Sequence, residues 1–410
     1  MGNLLNVDEA IARILEQIPT LSAETIHLTE SSGRVLAEDI VSDTNLPPFD
    51  NSSMDGFAIK AGDSGSNVTL KVVMDIPAGH FPEKTLQPGE AARIMTGAPV
   101  PDGADAVIPV EDTDADFSEL DNGRLPETVT LHKAVSAGAA IRKIGENIHE
   151  GQTILSAGTI IGAAEIGMLA SIGKSQIAVI RQPRVAIIGS GDELVGIEEI
   201  PAPGQIRDSN SYALAALIQG DGAIAMRQAI AKDTAESIRN LFETTLEQSP
   251  DLIISSAGVS VGAADYIRSI LDEIGEIGFW RINLRPGKPL AFGKIGVTPF
   301  FGLPGNPVSA MVTYTVLVRP ALMKLAGKPY HPATIKAKAG DAMTSDGRRT
   351  YARVQLKQEN GGYVAYETGT QSSGAHMSMV LADGLLVIPE GVTSVDSGTE
   401  LDVLLLRSLR

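Results

Sequence analysis

Hydrophobic positions open the chain at helical spacing: Val7, Ile11, Ile14, Leu15 and Ile18 share one face behind Asn6, with Asp8 and Glu9 in the first turn. The pattern predicts an amphipathic helix capped by Asn6. From about Leu46 to His149 the texture changes to short β-branched runs (VTLKVV from Val68, ADAVIPV, TVTL) separated by Gly, Pro and Asp clusters. That is the pattern of a small β-rich domain. Residues 150–180 return to Ala, Gly and Ile, and the apolar stretch from Ile154 to Gly173, interrupted by Glu165, reads as a buried helix rather than a bilayer span. The flanking stretches 1–45 and 150–180 are therefore expected to pack together as one discontinuous helical or linker domain, with the β block 46–149 inserted between them.

From Arg184 the pattern repeats as strand, loop, helix. RVAIIG, AIAM and DLIISS are short continuous apolar runs, each followed by a helical pattern, from about Ser211, Thr234 and Tyr266. Strands of this kind are buried on both faces, which predicts a doubly wound α/β domain over 181–328. It closes on a long helix from about Pro307 to Leu325, after which Ala326, Gly327, Pro329 and Pro332 mark a linker. The remainder, 329–410, alternates as strands (YARVQLKQ, a turn at Asn360, Gly361 and Gly362, GYVAYET, LLVIP) and is expected to form a small antiparallel barrel or sandwich.

Composition narrows the chemistry. At 410 residues and 43% hydrophobic, the chain exceeds one core and is able to fill several. Its 33 Lys and Arg against 50 Asp and Glu leave a net charge of −17, which opposes association with nucleic acid or an anionic membrane. The absence of Cys removes disulfides, thiolate nucleophiles and Cys-ligated metals, and the six His residues, at 27, 80, 132, 149, 331 and 376, are scattered without a triad or metal spacing. The first residues carry acids before any base and no cleavable apolar core, so a cytoplasmic location is expected. Asn6 stands where an N-myristoylation pattern wants Ser or Thr, so Gly2 is incidental.

Ligands on an open parallel sheet sit beyond the carboxyl ends of its strands, so the loops there are the first place to look. After RVAII comes GSGDEL, with Gly189 and Gly191 for a tight turn and Asp192 and Glu193 projecting; Leu194 occupies the third glycine position of a dinucleotide fingerprint, and no phosphate-binding P-loop occurs. Alone, the motif is equally a turn with solvated acids. After DLIISS comes AGVSVGAADY, where Ser256, Gly258 and Ser260 allow backbone N–H groups to approach an anion and Asp265 suits a bridging Mg²⁺. In RINLRPGKPLAFG, Arg281 and Arg285 are expected on one face of a strand, with Lys288 beyond the Pro-Gly bend: an anion site or a salt-bridged surface. GLPGNPVSA places Asn306 as N-cap and Pro307 at the first helical position. In the β block, Asp50, Asn51, Ser52, Asp55, Gly56, Thr96 and Gly97 crowd segments too polar for a core, a pattern that turn chemistry also produces.

The ordered set PPFDNSSMDGFA, MTGAPVPDGADAVIP, GSGDEL, GVSVGAADY, RPGKPLAFG, GLPGNPVSA and QSSGAHMS resembles the molybdopterin molybdenumtransferase family, that is, the bacterial MoeA proteins and the E domain of gephyrin, across essentially the whole chain. The resemblance implies an inserted β domain, a molybdopterin-binding α/β domain, a C-terminal β-barrel and an elongated homodimer. It implies insertion of molybdate into adenylylated molybdopterin, with a divalent cation such as Mg²⁺ and release of AMP. It assigns Asp55 and Thr96 to one wall of the site, facing Glu193, Asp233, Asp265, Arg281, Arg285, Pro304 and Pro307 of the other subunit, with Ser378 and Arg353 from the tail. Asp55, Glu193 and Asp265 are the implied metal ligands, and transient contact with the upstream adenylyltransferase is implied as well. The chain departs from the family at Asn147, where an Asp is familiar, at Arg285, where Lys is familiar, and at Ala257, which replaces a glycine. Two alternatives follow: a scaffold or binding paralogue with decayed catalysis, which those departures make conceivable, and the adenylylation step itself.

Overall fold

The computed structural model describes residues 4–116, 125–256, 269, 273, 275–359 and 361–409. The central sheet has six strands in the order Ile224–Ala231, Arg184–Ser190, Leu252–Ser256, Thr298–Leu303, Pro289–Ile295 and Gly275–Arg281. The first four are parallel, and Pro289–Ile295 runs antiparallel to both of its neighbours, so the doubly wound sheet is mixed toward that edge. Alternation divides its side chains. Val185, Ile187, Leu252, Ile254, Phe301 and Leu303 face the helices Asn210–Gly220 and Pro307–Leu325, whereas Ala186, Ile188, Ile253 and Phe300 face Ile238, Leu241 and Phe242 of the helix Ala235–Glu247. Both faces are dry because both are covered.

The opening helix runs Val7–Gln17, and the Asn6 side chain accepts from the Asp8 and Glu9 N–H groups. Its buried face, Val7, Ala10 and Ile14, packs into the α/β core, so by packing the helix belongs to that unit rather than to the linker stretch that follows it. The stretch 150–180 is mixed: Ala163–Ser171 is helical, while Thr153–Leu155 pairs with Ile40–Val41 and Gln176–Ile180 with Ala23–His27. The helix expected within Ile154–Gly173 is present as Ala163–Ser171, and the runs flanking it are strands because each finds a partner more than a hundred residues earlier. The inserted block forms a five-stranded sheet in the order Ala106–Pro109, Gly56–Ile59, Glu90–Ile94, Val68–Ile76 and Thr128–Leu131, with apolar clusters on both sides.

The helix Pro307–Leu325 is long and apolar enough to cross a membrane by length and composition, yet 78% of its most apolar window is buried inside the protein. It is a core helix with a π-turn over Tyr314–Val318. Beside that turn the Tyr314 hydroxyl donates to Asp221 Oδ2 at 2.7 Å and Arg319 Nε donates to the same oxygen at 2.9 Å. Burial, reinforced by Asp221, raises the Tyr314 pKa far above its ordinary value, so the phenol stays a donor. Asp221→Ala leaves a half-buried guanidinium and a buried hydroxyl without their shared acceptor. It is expected to lower stability by about 2–3 kcal/mol, read as a shifted denaturation midpoint, with Asp221→Asn losing less.

The tail is a closed five-stranded β-barrel of Arg349–Glu359, Gly362–Glu367, Thr334–Ala339, Glu400–Leu405 and Gly384–Ile388, the last pairing back onto the first. A sixth strand, Leu284–Arg285, comes from the α/β domain and pairs in parallel with Arg349 and Thr350.

Candidate active site

The expected strand carrying both Arg281 and Arg285 is broken. The sheet strand ends at Arg281, whose side chain is exposed and does not line the cavity described below, and the chain crosses to the barrel before Leu284–Arg285. That crossing makes the site. It carries Arg285 and Lys288 over the carboxyl ends of the sheet strands and against the barrel, enclosing a cavity of about 890 Å³. The sheet side contributes Ser190, Gly191, Glu193, Asp233, Pro304 and Asn306; the barrel contributes Thr344, Arg348, Arg353, Glu367, Gln371 and Ser373.

Each loop has a local reason for its shape. Gly191 has φ of 151°, and a Cβ there would meet the Glu193 carboxylate at 2.4 Å, so the GSGDEL turn needs glycine. In the Pro-Gly bend Gly287 has φ of 124°, and a Cβ would lie 2.5 Å from Thr313 Oγ1. Asn306 occupies the N-cap position before Pro307, but its side chain makes no cap bond; it donates instead to Ser373 Oγ at 2.9 Å, tying the helix start to the barrel. Asn210 Nδ2 donates to the Gly305 carbonyl at 2.7 Å and holds the same loop from the other side.

Arg353 is 1% exposed and is the largest fully buried side chain among the described residues. Its Nε donates to Ser378 Oγ at 3.2 Å and its terminal nitrogen to the carbonyls of Ser372 at 3.1 Å and Thr370 at 3.4 Å, all neutral acceptors. Gln371 clamps its backbone by reciprocal bonds of 3.0 Å. Burial lowers the guanidinium pKa to about 10, Arg285 pushing the same way and Glu367 opposing. Among the described residues no carboxylate lies within ion-pair distance of Arg285, Lys288 or Arg353, whereas Arg348 is paired with Asp346.

The acids lie across the cavity. Asp233 is half-buried, its Oδ1 is buried with no hydrogen-bond partner, and its backbone N–H donates to Asp192 Oδ1 at 3.2 Å. Burial first, then the charges of Asp192 and Glu193, hold its pKa above the usual carboxylate value. Ser256, at the end of its strand, has a buried hydroxyl that is also without a partner. Gly258, Ser260, Asp265 and the Ala257 departure lie outside the described residues.

Asp55 and Thr96 form their own pair on the inserted sheet: Asp55 Oδ1 accepts from the Thr96 N–H at 2.6 Å and from its hydroxyl at 2.8 Å. Both are exposed, and neither lines the cavity of its own chain. Asp50 is structural: Lys143 and the Ile144 N–H bind it, and Lys143 holds its carboxyl below the usual range. Asn147 is exposed in the same domain. The sequence carries no signal for Arg348, Thr344, Glu367 or the clamp role of Gln371, although Gln371 and Ser373 lie within the QSSGAHMS motif.

A doubly wound sheet whose strand ends meet a β-barrel across a cation-lined, partly acidic cavity defines a multidomain α/β protein with a polar cleft between its parts. Residues 5–173 match the MoeA N-terminal region (domain I and II), residues 186–324 the family described as "Probable molybdopterin binding domain", and residues 336–406 the MoeA C-terminal region (domain IV). The molybdopterin molybdenumtransferase of a Nostoc species is 38% identical, over 95% of this chain and 91% of its own length. Molybdopterin molybdenumtransferase 2 of Mycobacterium tuberculosis is 36% identical, over 97% and 98%. The crystal structure of the Pyrococcus horikosii molybdopterin biosynthesis moea protein superposes with a TM-score of 0.85 at 32% identity, covering 99% of this chain and 100% of that one. The chain belongs to the MoeA family.

Proposed function

We propose that this protein acts in molybdenum cofactor biosynthesis as a molybdopterin molybdenumtransferase, inserting molybdate into adenylylated molybdopterin with Mg²⁺-dependent release of AMP. The observation that carries the reading is the convergence of Arg285, Lys288 and Arg353 on one cavity with no carboxylate in ion-pair distance among the described residues, in a chain of net charge −17. Cations left unpaired in an acidic protein favour a multiply charged oxyanion. Arg353, held by neutral groups, keeps its charge available for molybdate, while Lys288 and Arg285 at the mouth suit substrate phosphates. No side chain has to act as a covalent nucleophile, since molybdate oxygen can attack, and the residues named here bind and orient the reactants.

For Mg²⁺ the donor set fits a shared site. Among the described residues no three carboxylate or imidazole groups converge as ligands, and Mg²⁺ is commonly held by one or two carboxylates with the rest supplied by phosphate oxygens and water. Asp233, with an unsatisfied oxygen, and Glu193 would offer those carboxylates; when bound, the cation would offset charge on the phosphoanhydride. Asp55 would come from a partner subunit, which makes the active species a homodimer. Chains carrying Asp55→Asn and chains carrying Asp233→Asn, each inactive alone, are expected to recover up to about a quarter of wild-type AMP release when mixed in equal amounts, because about half of the dimers are then hybrids and one site of each hybrid has both residues intact. No recovery despite measured subunit exchange sinks the shared site. A cytoplasmic location and transient contact with the upstream adenylyltransferase belong to the same reading. A scaffold role has no observation in its favour, since the cavity retains its cations.

A further inference from the structure

Glu367 lines the cavity yet has no part in the chemistry above. It ends the strand Gly362–Glu367, opposite Val354 and one residue along from Arg353. Its carboxylate is half-buried and, among the described residues, accepts no hydrogen bond and makes no ion pair. The charged groups that face it are Arg353 on the adjoining strand, Arg285 on the strand from the α/β domain, and Asp341 after the strand Thr334–Ala339. Glu193, Asp233, Lys288 and Arg348 stand on the remaining cavity wall. Burial, and secondarily Asp341, raise the Glu367 pKa, while Arg353 and Arg285 restrain the rise.

An ionised carboxylate in a cavity for a tetrahedral dianion is a like charge where the ligand must sit. The same group protonated is a hydrogen-bond donor in a wall of donors. In the empty cavity the ionised form offsets the charge of Arg285 and Arg353, so it suits the unloaded state as well as it opposes the loaded one. We propose that Glu367 is a proton-coupled specificity residue of the oxyanion cavity: a dianion enters with uptake of one proton from solvent onto the Glu367 carboxylate, which then donates a hydrogen bond to a ligand oxygen. The proposal rests on the reading of the cavity as the molybdate site. By linkage, the bound dianion raises the Glu367 pKa. Affinity is then constant below the value for the empty cavity and falls about tenfold per pH unit between that value and the loaded one.

The test is titration calorimetry of the full chain with molybdate from about pH 6 to 9, in buffers of different ionisation enthalpy, for wild type, Glu367→Gln and Glu367→Asp. The wild type is expected to take up close to one proton per molybdate within the sloping interval, and Glu367→Asp to retain the uptake. Glu367→Gln, isosteric and neutral, is expected to take up none, to bind independently of pH, and to bind about tenfold tighter at the alkaline end. Equal proton uptake by wild type and Glu367→Gln overturns the proposal and leaves the anion cavity standing. Absence of molybdate binding in both forms, with unchanged melting curves, overturns the reading of the cavity itself.

Discussion

Asp233→Asn is expected to raise the melting temperature at neutral pH while cutting AMP release at least about a hundredfold. The two effects share a cause. Asp233 is held half-buried, with one oxygen unsatisfied, against Asp192 and Glu193, so its charge opposes the empty fold. Its folded pKa lies above the unfolded value of 3.8, which means the native state holds the proton more tightly. The stability this group contributes is therefore present at low pH and lost as pH rises from the unfolded value through the raised folded one. The Asn variant lacks that loss. Melting midpoints measured for both forms from about pH 4 to 8 should coincide at the acid end and diverge above it, with the Asn variant the higher. Superimposed curves would make Asp233 an ordinary surface acid. A carboxylate kept where it weakens the resting protein is what a cation-assisted site requires.

Arg353→Met is expected to weaken molybdate binding about a hundredfold or more, by loss of charge-assisted hydrogen bonds from a buried guanidinium. Stability should change by less than about 2 kcal/mol, because two effects oppose each other. The carbonyls of Thr370 and Ser372 lose their donor, which costs about 1–3 kcal/mol, but a guanidinium whose pKa is already pulled down to about 10 by burial is removed. Arg353→Lys keeps the charge without the planar fork and should fall between. Calorimetry with molybdate and urea unfolding of the same preparations separate the two quantities. Retained affinity in a folded Met variant would remove Arg353 from the binding surface.

What the sequence reveals of this molecule is what neighbouring residues decide. The continuous apolar runs RVAII and DLIIS announce strands buried on both faces, where Ile187 and Ile188 do lie on opposite sides of the sheet, and the glycines of GSGDEL and RPGKP announce turns that the backbone then requires. Distant partners are what it hides. Arg281 and Arg285 read as one strand face, yet the strand stops because Leu284 and Arg285 pair with Arg349 and Thr350, more than sixty residues on. Arg353 looks like any alternating residue of YARVQLKQ, and only barrel closure buries it. Asn306 has the residue type and position of a helix cap, but Ser373 on the barrel takes its amide. Glu367 carries no signal at all, since an acid in a short strand is unremarkable until the arginines around it are placed.

The strand Leu284–Arg285 also fixes an order of events during synthesis. The parallel strands through Thr298–Leu303 leave the ribosome as a contiguous stretch and can associate as they emerge. Leu284, fully buried in the finished protein, and Arg285 must wait until Arg349 and Thr350 have been made. Tyr351, Leu385 and Leu404 of the barrel complete the same apolar cluster as Val7 and Ile14, so the first helix and the last strand reach their final packing together. The nascent chain thus has no anion pocket to offer. Ligand capture begins only when translation is nearly complete, and a chain stalled or clipped in the tail holds Arg285 and Lys288 without the wall that gives them a ligand to share.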